Sequence, residues 1–86
     1  MIMTHKELEA IRQTFRNIPY GSHYIKEVKK HLETLDKRKW VDINAYFDND
    51  VLEMAKLKCA IHYLSTSDEM NITIDRKNGF KFIING

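Results

Sequence analysis

The sequence predicts an α+β domain in which three long helices and one short one are closed by a C-terminal β-hairpin. Two observations carry most of that prediction. Runs of alternating apolar residues, Ile72 and Ile74 before, Phe80, Phe82 and Ile84 after, flank Lys77-Asn78-Gly79. Upstream, apolar residues recur at helical spacing behind residues suited to capping, with Pro19, Gly21 and Asp48-Asn49-Asp50 as breaks. A third observation sets the scale: 86 residues at 43% hydrophobic and 30% charged content fit one domain spanning residues 1–86. That composition is too apolar for a disordered segment.

Thr4 followed three residues later by Glu7 forms a capping box. It opens an N-terminal helix over about 4–16 whose apolar residues are Leu8, Ile11 and Phe15. So narrow a stripe fits a peripheral helix laid on a core, and its sharper reading is a homodimer seam through Leu8, Ile11 and Phe15. Ser22 can cap a second helix with Ile25, Val28, Leu32 and Leu35 on one side and Lys26, Lys30, Glu33 and Lys37 on the other. Lys37-Arg38-Lys39 closes it, where cations suit the negative helix end.

Trp40 to Phe47 reads as a brief extended piece at Trp40 and Val41 followed by a short helix capped by Asp42. Asp48-Asn49-Asp50 then supplies the cap of a third long helix over about 51–64. Only Glu53, Lys56, Lys58 and His62 interrupt its apolar content, which predicts a central helix packed on several sides. On that reading Cys59 is a buried, inert thiol.

The hairpin register follows from its apolar pattern. A three-residue loop sets Ile74 opposite Phe82, Ile72 opposite Ile84 and Asp75 opposite Lys81, making one face wholly apolar. A two-residue Asn-Gly turn would scatter that set over both faces. The longer loop also puts Gly79 where a type I turn with a G1 bulge requires positive φ.

Residues 21–40 hold six cations against three acids, 41–70 two against six, and 71–86 three against one. The candidate nucleic-acid contacts are therefore Lys26, Lys29, Lys30, Lys37, Arg38, Lys39, Arg76 and Lys77. Asn49 and Lys56 join them as base readers, with His62. Trp40, Tyr20, Tyr24 and Tyr46 are either core residues or stacking platforms, and the core reading is preferred.

No catalytic set can be assembled. There is no Walker glycine loop, G-x-S-x-G or H-E-x-x-H. Cys59 and His62 could meet on one helix but lack an orienting partner and an oxyanion-hole motif. His5, His23, His31 and His62 are too dispersed to share a metal, and no cofactor is expected. No apolar run reaches transmembrane length, and Met1 to Glu7 lacks a signal core, with Met3 an equally good initiator, so a cytoplasmic site is expected.

In order, the elements are helix, brief strand, short helix, three-residue break, core helix and hairpin. Over residues 22–85 this layout resembles the winged helix-turn-helix superfamily, with Thr4 to Phe15 as an added helix. The resemblance makes residues 51–64 the recognition helix and Arg76-Lys77-Asn78-Gly79 the wing tip. It implies a small DNA-binding protein, a transcriptional or replication accessory factor, with the recognition helix in the major groove and the wing on the backbone or minor groove. The chain departs from that pattern at Asp48, Asp50 and Glu53, which phosphate repels. The alternative is a protein-interaction module or small inhibitor, of the kind phages and mobile elements carry, that engages its partner through the acidic 41–70 segment.

Overall fold

The computed structural model describes residues 4–86. Met1, Ile2 and Met3, including the second candidate start, lie outside the described residues. The elements are α1 (His5–Arg16), α2 (Ser22–Leu32), β1 (Val41–Asp42), a 3-10 turn (Ile43–Ala45), α3 (Val51–Thr66), β2 (Ile72–Asp75) and β3 (Lys81–Ile84). The fold is α+β: helices followed by a C-terminal hairpin, with β1 added to the hairpin's other side to give an antiparallel sheet of order β1-β3-β2. Among the described residues, no helix is long and apolar enough to cross a membrane.

Three helix starts follow from local chemistry. Thr4 Oγ1 accepts from the Glu7 amide at 3.1 Å, Asp42 Oδ1 from Asn44 at 3.0 Å, and Asp50 Oδ1 from Glu53 at 3.2 Å. Each satisfies an amide that the first turn leaves without a partner. Asn49 reaches Asp50 through φ 65°, a left-handed step that asparagine tolerates better than most residues.

α2 departs from expectation at both ends. Gly21 is its N-cap and makes no side-chain cap bond, so Ser22 is the first helical residue. The helix stops at Leu32, well before Lys37-Arg38-Lys39. Thr34 donates its hydroxyl to the His31 carbonyl at 2.6 Å, its amide bonds the same oxygen, and Asp36 Oδ1 accepts from the Arg38 amide. These local bonds compete with helical ones and end the helix early. The cations facing its C-terminus are Lys29 and Lys30.

The hairpin has the predicted register, with Ile72 opposite Ile84, Ile74 opposite Phe82 and Asp75 opposite Lys81, and Gly79 sits at φ 89°. Phe82 also faces Val41 of β1 and is fully buried. The core it belongs to draws on every helix: Phe15 of α1, Tyr24, Val28 and Leu32 of α2, and Leu57, Ile61 and Leu64 of α3, with Ile43, Tyr46 and Phe47 from the 3-10 turn and the residues after it. The sheet therefore covers the helices with one face, as a hairpin too small to stand alone must.

Burial on α1 follows the peripheral-helix reading, whereas the expectations for α3 and for Trp40 need correction. Phe15 is 3% exposed and meets Tyr24 and His31 edge-on, both at 5.8 Å, while Leu8 and Ile11 pack beside the core. The α1 stripe lays α1 on the core of its own chain, with Phe15 buried and Leu8 and Ile11 partly exposed. α3 is not surrounded: Val51 is 78% and Leu52 70% exposed, and Ala55, Cys59, His62 and Tyr63 are exposed with them. Cys59 is thus an accessible thiol. Trp40 is exposed as well, because β1 begins only after it, at Val41.

Candidate nucleic-acid interface

The two ends of α3 have different electrostatic roles. At its start, three acidic side chains are paired within the chain: Asp48 with Arg12 at 3.0 Å, Asp50 with Arg16 at 3.5 Å, and Glu53 with Lys56 at 3.0 Å. Arg12 is buried and also donates to the carbonyls of Tyr46 and Ala45, tying α1 to the chain entering α3. Lys56 donates onward to the Ile18 carbonyl at 2.9 Å and the Phe15 carbonyl at 3.4 Å, and lies over the Tyr24 ring. Lys56 is therefore a bracket between α1 and α3, and its ammonium is not available as a base reader.

Toward the other end of α3, Lys58, Cys59, His62, Tyr63 and Thr66 line one side of a cleft of about 560 Å3. Tyr20, from the link between α1 and α2, and Arg76, from the hairpin loop, line the rest, with Phe80 among them. Lys58 and Arg76 both sit over the Phe80 ring, at 5.8 and 5.7 Å from its centroid. Arg76 donates to His62 Nδ1 at 2.8 Å, which leaves the ring proton of neutral His62 on Nε2. With both ring nitrogens so occupied, His62 has no lone pair with which to accept the Cys59 proton.

Tyr20 and Tyr63 are each 47% exposed. Tyr20 is braced from behind by buried Tyr24, ring centroids 5.7 Å apart. Its hydroxyl is held above the ordinary tyrosine pKa, first by loss of solvent and then by Cys59 and Tyr63, so it stays protonated. Tyr63 is shared with a second cleft of about 380 Å3 whose lining includes Lys26, Lys29 and Glu69. Among the described residues, Lys26, Lys29, Lys58, Arg76 and Lys77 have no carboxylate within 4.0 Å. Tyr63 consequently stands between two groups of unpaired cations.

The basic residues singled out in the sequence divide accordingly. Lys26 and Lys29 border Tyr63, Lys37 continues from Lys29 along a smaller cleft of about 300 Å3 that also holds Glu33 and Glu69, and Arg76 and Lys77 come from the hairpin loop. Lys30 lines a separate cleft toward α1, with Ala10 and Ile11, and pairs with Glu27 at 3.8 Å. Lys39 pairs with Asp36 at 4.0 Å, and Arg38 is exposed in the same turn. Asn49 is exposed before α3, where its backbone makes the turn. Tyr24 and Tyr46 are core residues; burial pushes the Tyr46 hydroxyl up to about 12.

Two residues at the centre of this surface, Lys58 and Tyr63, are not among the nucleic-acid contacts the sequence suggests. Lys58, His62 and Thr66 recur at i, i+4 and i+8, a polar stripe along a helix otherwise read as apolar throughout. That spacing was the available signal. Among the described residues, no group of three His, Cys, Asp or Glu side chains could hold a metal ion. No family model matches the chain, and no curated protein or solved structure matches it either.

Proposed function

We propose that this chain is a small, non-enzymatic, winged-helix-like protein that binds nucleic acid, a transcriptional or replication accessory factor. One observation carries the reading: unpaired Lys26, Lys29, Lys58 and Arg76 gather around half-exposed Tyr63, while the acids that begin α3 are neutralised by α1 and by Lys56. Phosphates repelled by Asp48, Asp50 and Glu53 in the linear sequence meet, at the other end of α3, a surface of mainly positive charge. Such contacts release counterions, so affinity falls steeply with salt.

Fluorescence anisotropy with labelled duplex and single strands at two salt concentrations tests this. Binding at low salt that weakens at high salt is the expected result, with a shallower salt dependence after Lys58→Glu or Arg76→Glu. Absence of binding to every strand at low salt overturns it.

A second reading has one observation in its favour. Val51 and Leu52 are apolar and largely exposed at the start of α3, which suits a protein partner better than phosphate. A stoichiometric partner that is released by Leu52→Glu, from a chain that binds no nucleic acid, is the result that would establish this interaction-module role. The neutralised acids at Asp48, Asp50 and Glu53 count against a version in which the 41–70 segment imitates DNA.

A further inference from the structure

We propose that the cleft between α3, the hairpin loop and Tyr20 is a subsite for an unpaired nucleobase, so that the favoured ligand is single-stranded nucleic acid and not duplex. This rests on the nucleic-acid reading above and names the ligand class for the same surface.

Three features support it. Sequence-specific reading of a duplex through α3 would need hydrogen-bonding side chains along its outward face. The outward residues before Lys58 are Val51, Leu52 and Ala55, and Lys56 is bonded to the carbonyls of Ile18 and Phe15. Stacking needs no such readers, because every base presents a π-face.

The aromatic surfaces stacking does need are Tyr20 and Tyr63, half-exposed at the rim of a cleft whose volume of about 560 Å3 falls within the usual range for small-molecule sites. Tyr20 is backed by the fully buried Tyr24 ring, so its position is set before any ligand arrives. Finally, the cations accompany the rings. Lys58 and Arg76 are carried over Phe80, and Lys26 and Lys29 lie on the far side of Tyr63. A strand whose base enters the cleft thus has phosphate-binding groups on both sides of it.

The thiol of Cys59 lies in the same cleft and supplies a footprint on the unaltered chain. The probes are a short oligothymidylate, the same sugar-phosphate strand carrying abasic residues, and a hairpin duplex of equal charge. Expected are tightest binding to oligothymidylate, weaker binding by about tenfold or more to the abasic strand and the duplex, and slower alkylation of Cys59 by iodoacetamide when oligothymidylate is bound. Tyr63→Ala should lose about tenfold for oligothymidylate and little for the abasic strand, and Tyr63→Phe should retain the wild-type preference.

If the duplex or the abasic strand binds as tightly as oligothymidylate, or if bound oligothymidylate leaves the alkylation rate of Cys59 unchanged, the subsite is overturned while nucleic-acid binding stands. If nothing binds, both readings fail together. The alkylation measurement uses the native sequence, so it decides the matter even if Tyr63→Ala unfolds.

Discussion

α3 as far as Lys56 and α3 from Lys58 onward use their polar groups to different ends. In the first part Asp50, Glu53 and Lys56 are engaged with α1 or with one another, as is Asp48 just before the helix. In the second part Lys58, Cys59, His62 and Tyr63 face a cleft, and their cationic neighbours are unpaired. The difference teaches that charge counted along a segment does not predict its potential. What matters is which charges another element has already neutralised. The start of α3 is a clamp that holds the helix in place, and its end is a surface that the clamp leaves free.

Breaking the clamp should have the largest effect. Arg12→Met leaves the carbonyls of Tyr46 and Ala45 without their donor and Asp48 without its partner. A loss of about 4 kcal/mol is expected in urea unfolding. Lys56→Met comes next, at about 3 kcal/mol, since it leaves buried Glu53 uncompensated. This variant also sharpens the comparison. As a base reader, Lys56 would lower nucleic-acid affinity with stability intact, whereas as a bracket it lowers stability and leaves the salt dependence of binding unchanged.

The reverse pattern is expected beyond the clamp. Lys58→Glu combined with Arg76→Glu should shift unfolding by no more than about 1 kcal/mol. Nucleic-acid affinity at low salt should fall by about tenfold or more, measured by anisotropy. A large loss of stability in this double variant would erase the distinction between the two ends of α3.

The smallest effect concerns pH and belongs to neither end. His31, against Phe15 and Tyr46, is held below the ordinary histidine pKa of about 6.5 by burial alone. Its folded pKa is depressed, so the unfolded chain takes up the proton first as pH falls. Its stabilising contribution is complete above about pH 6.5 and declines as pH drops from there through the folded value. His31→Phe should flatten that part of the stability profile, followed by thermal unfolding at a series of pH values.

Much of the fold was legible because it depends on near neighbours. Thr4, Asp42 and Asp50 cap their helices through amides two or three residues away. The α2 end was less legible, since Thr34 and Asp36 compete with the helix through bonds that apolar periodicity does not report. Arg12 was illegible for another reason. It flanks the Leu8-Ile11-Phe15 stripe, where a cation is usually solvated, and its acceptors Ala45, Tyr46 and Asp48 lie 33 to 36 positions along the chain. Cys59 and Tyr63 were assigned to the core by composition, yet the hairpin and α2 cover α3 only on the side bearing Leu57, Ala60, Ile61 and Leu64.

The sequence by itself determined the hairpin register, the capped helix starts and the order of elements. These rest on alternation with a period of two, which a one-residue slip would turn inside out, and on bonds that span only a few residues. The tertiary structure alone decided which side of α3 stays open and which of its charges remain free. Coulombic pairing depends on distance through space, and only the packing of α1 against the start of α3 brings Arg12 and Arg16 to Asp48 and Asp50 and leaves Lys58 and Arg76 at the cleft.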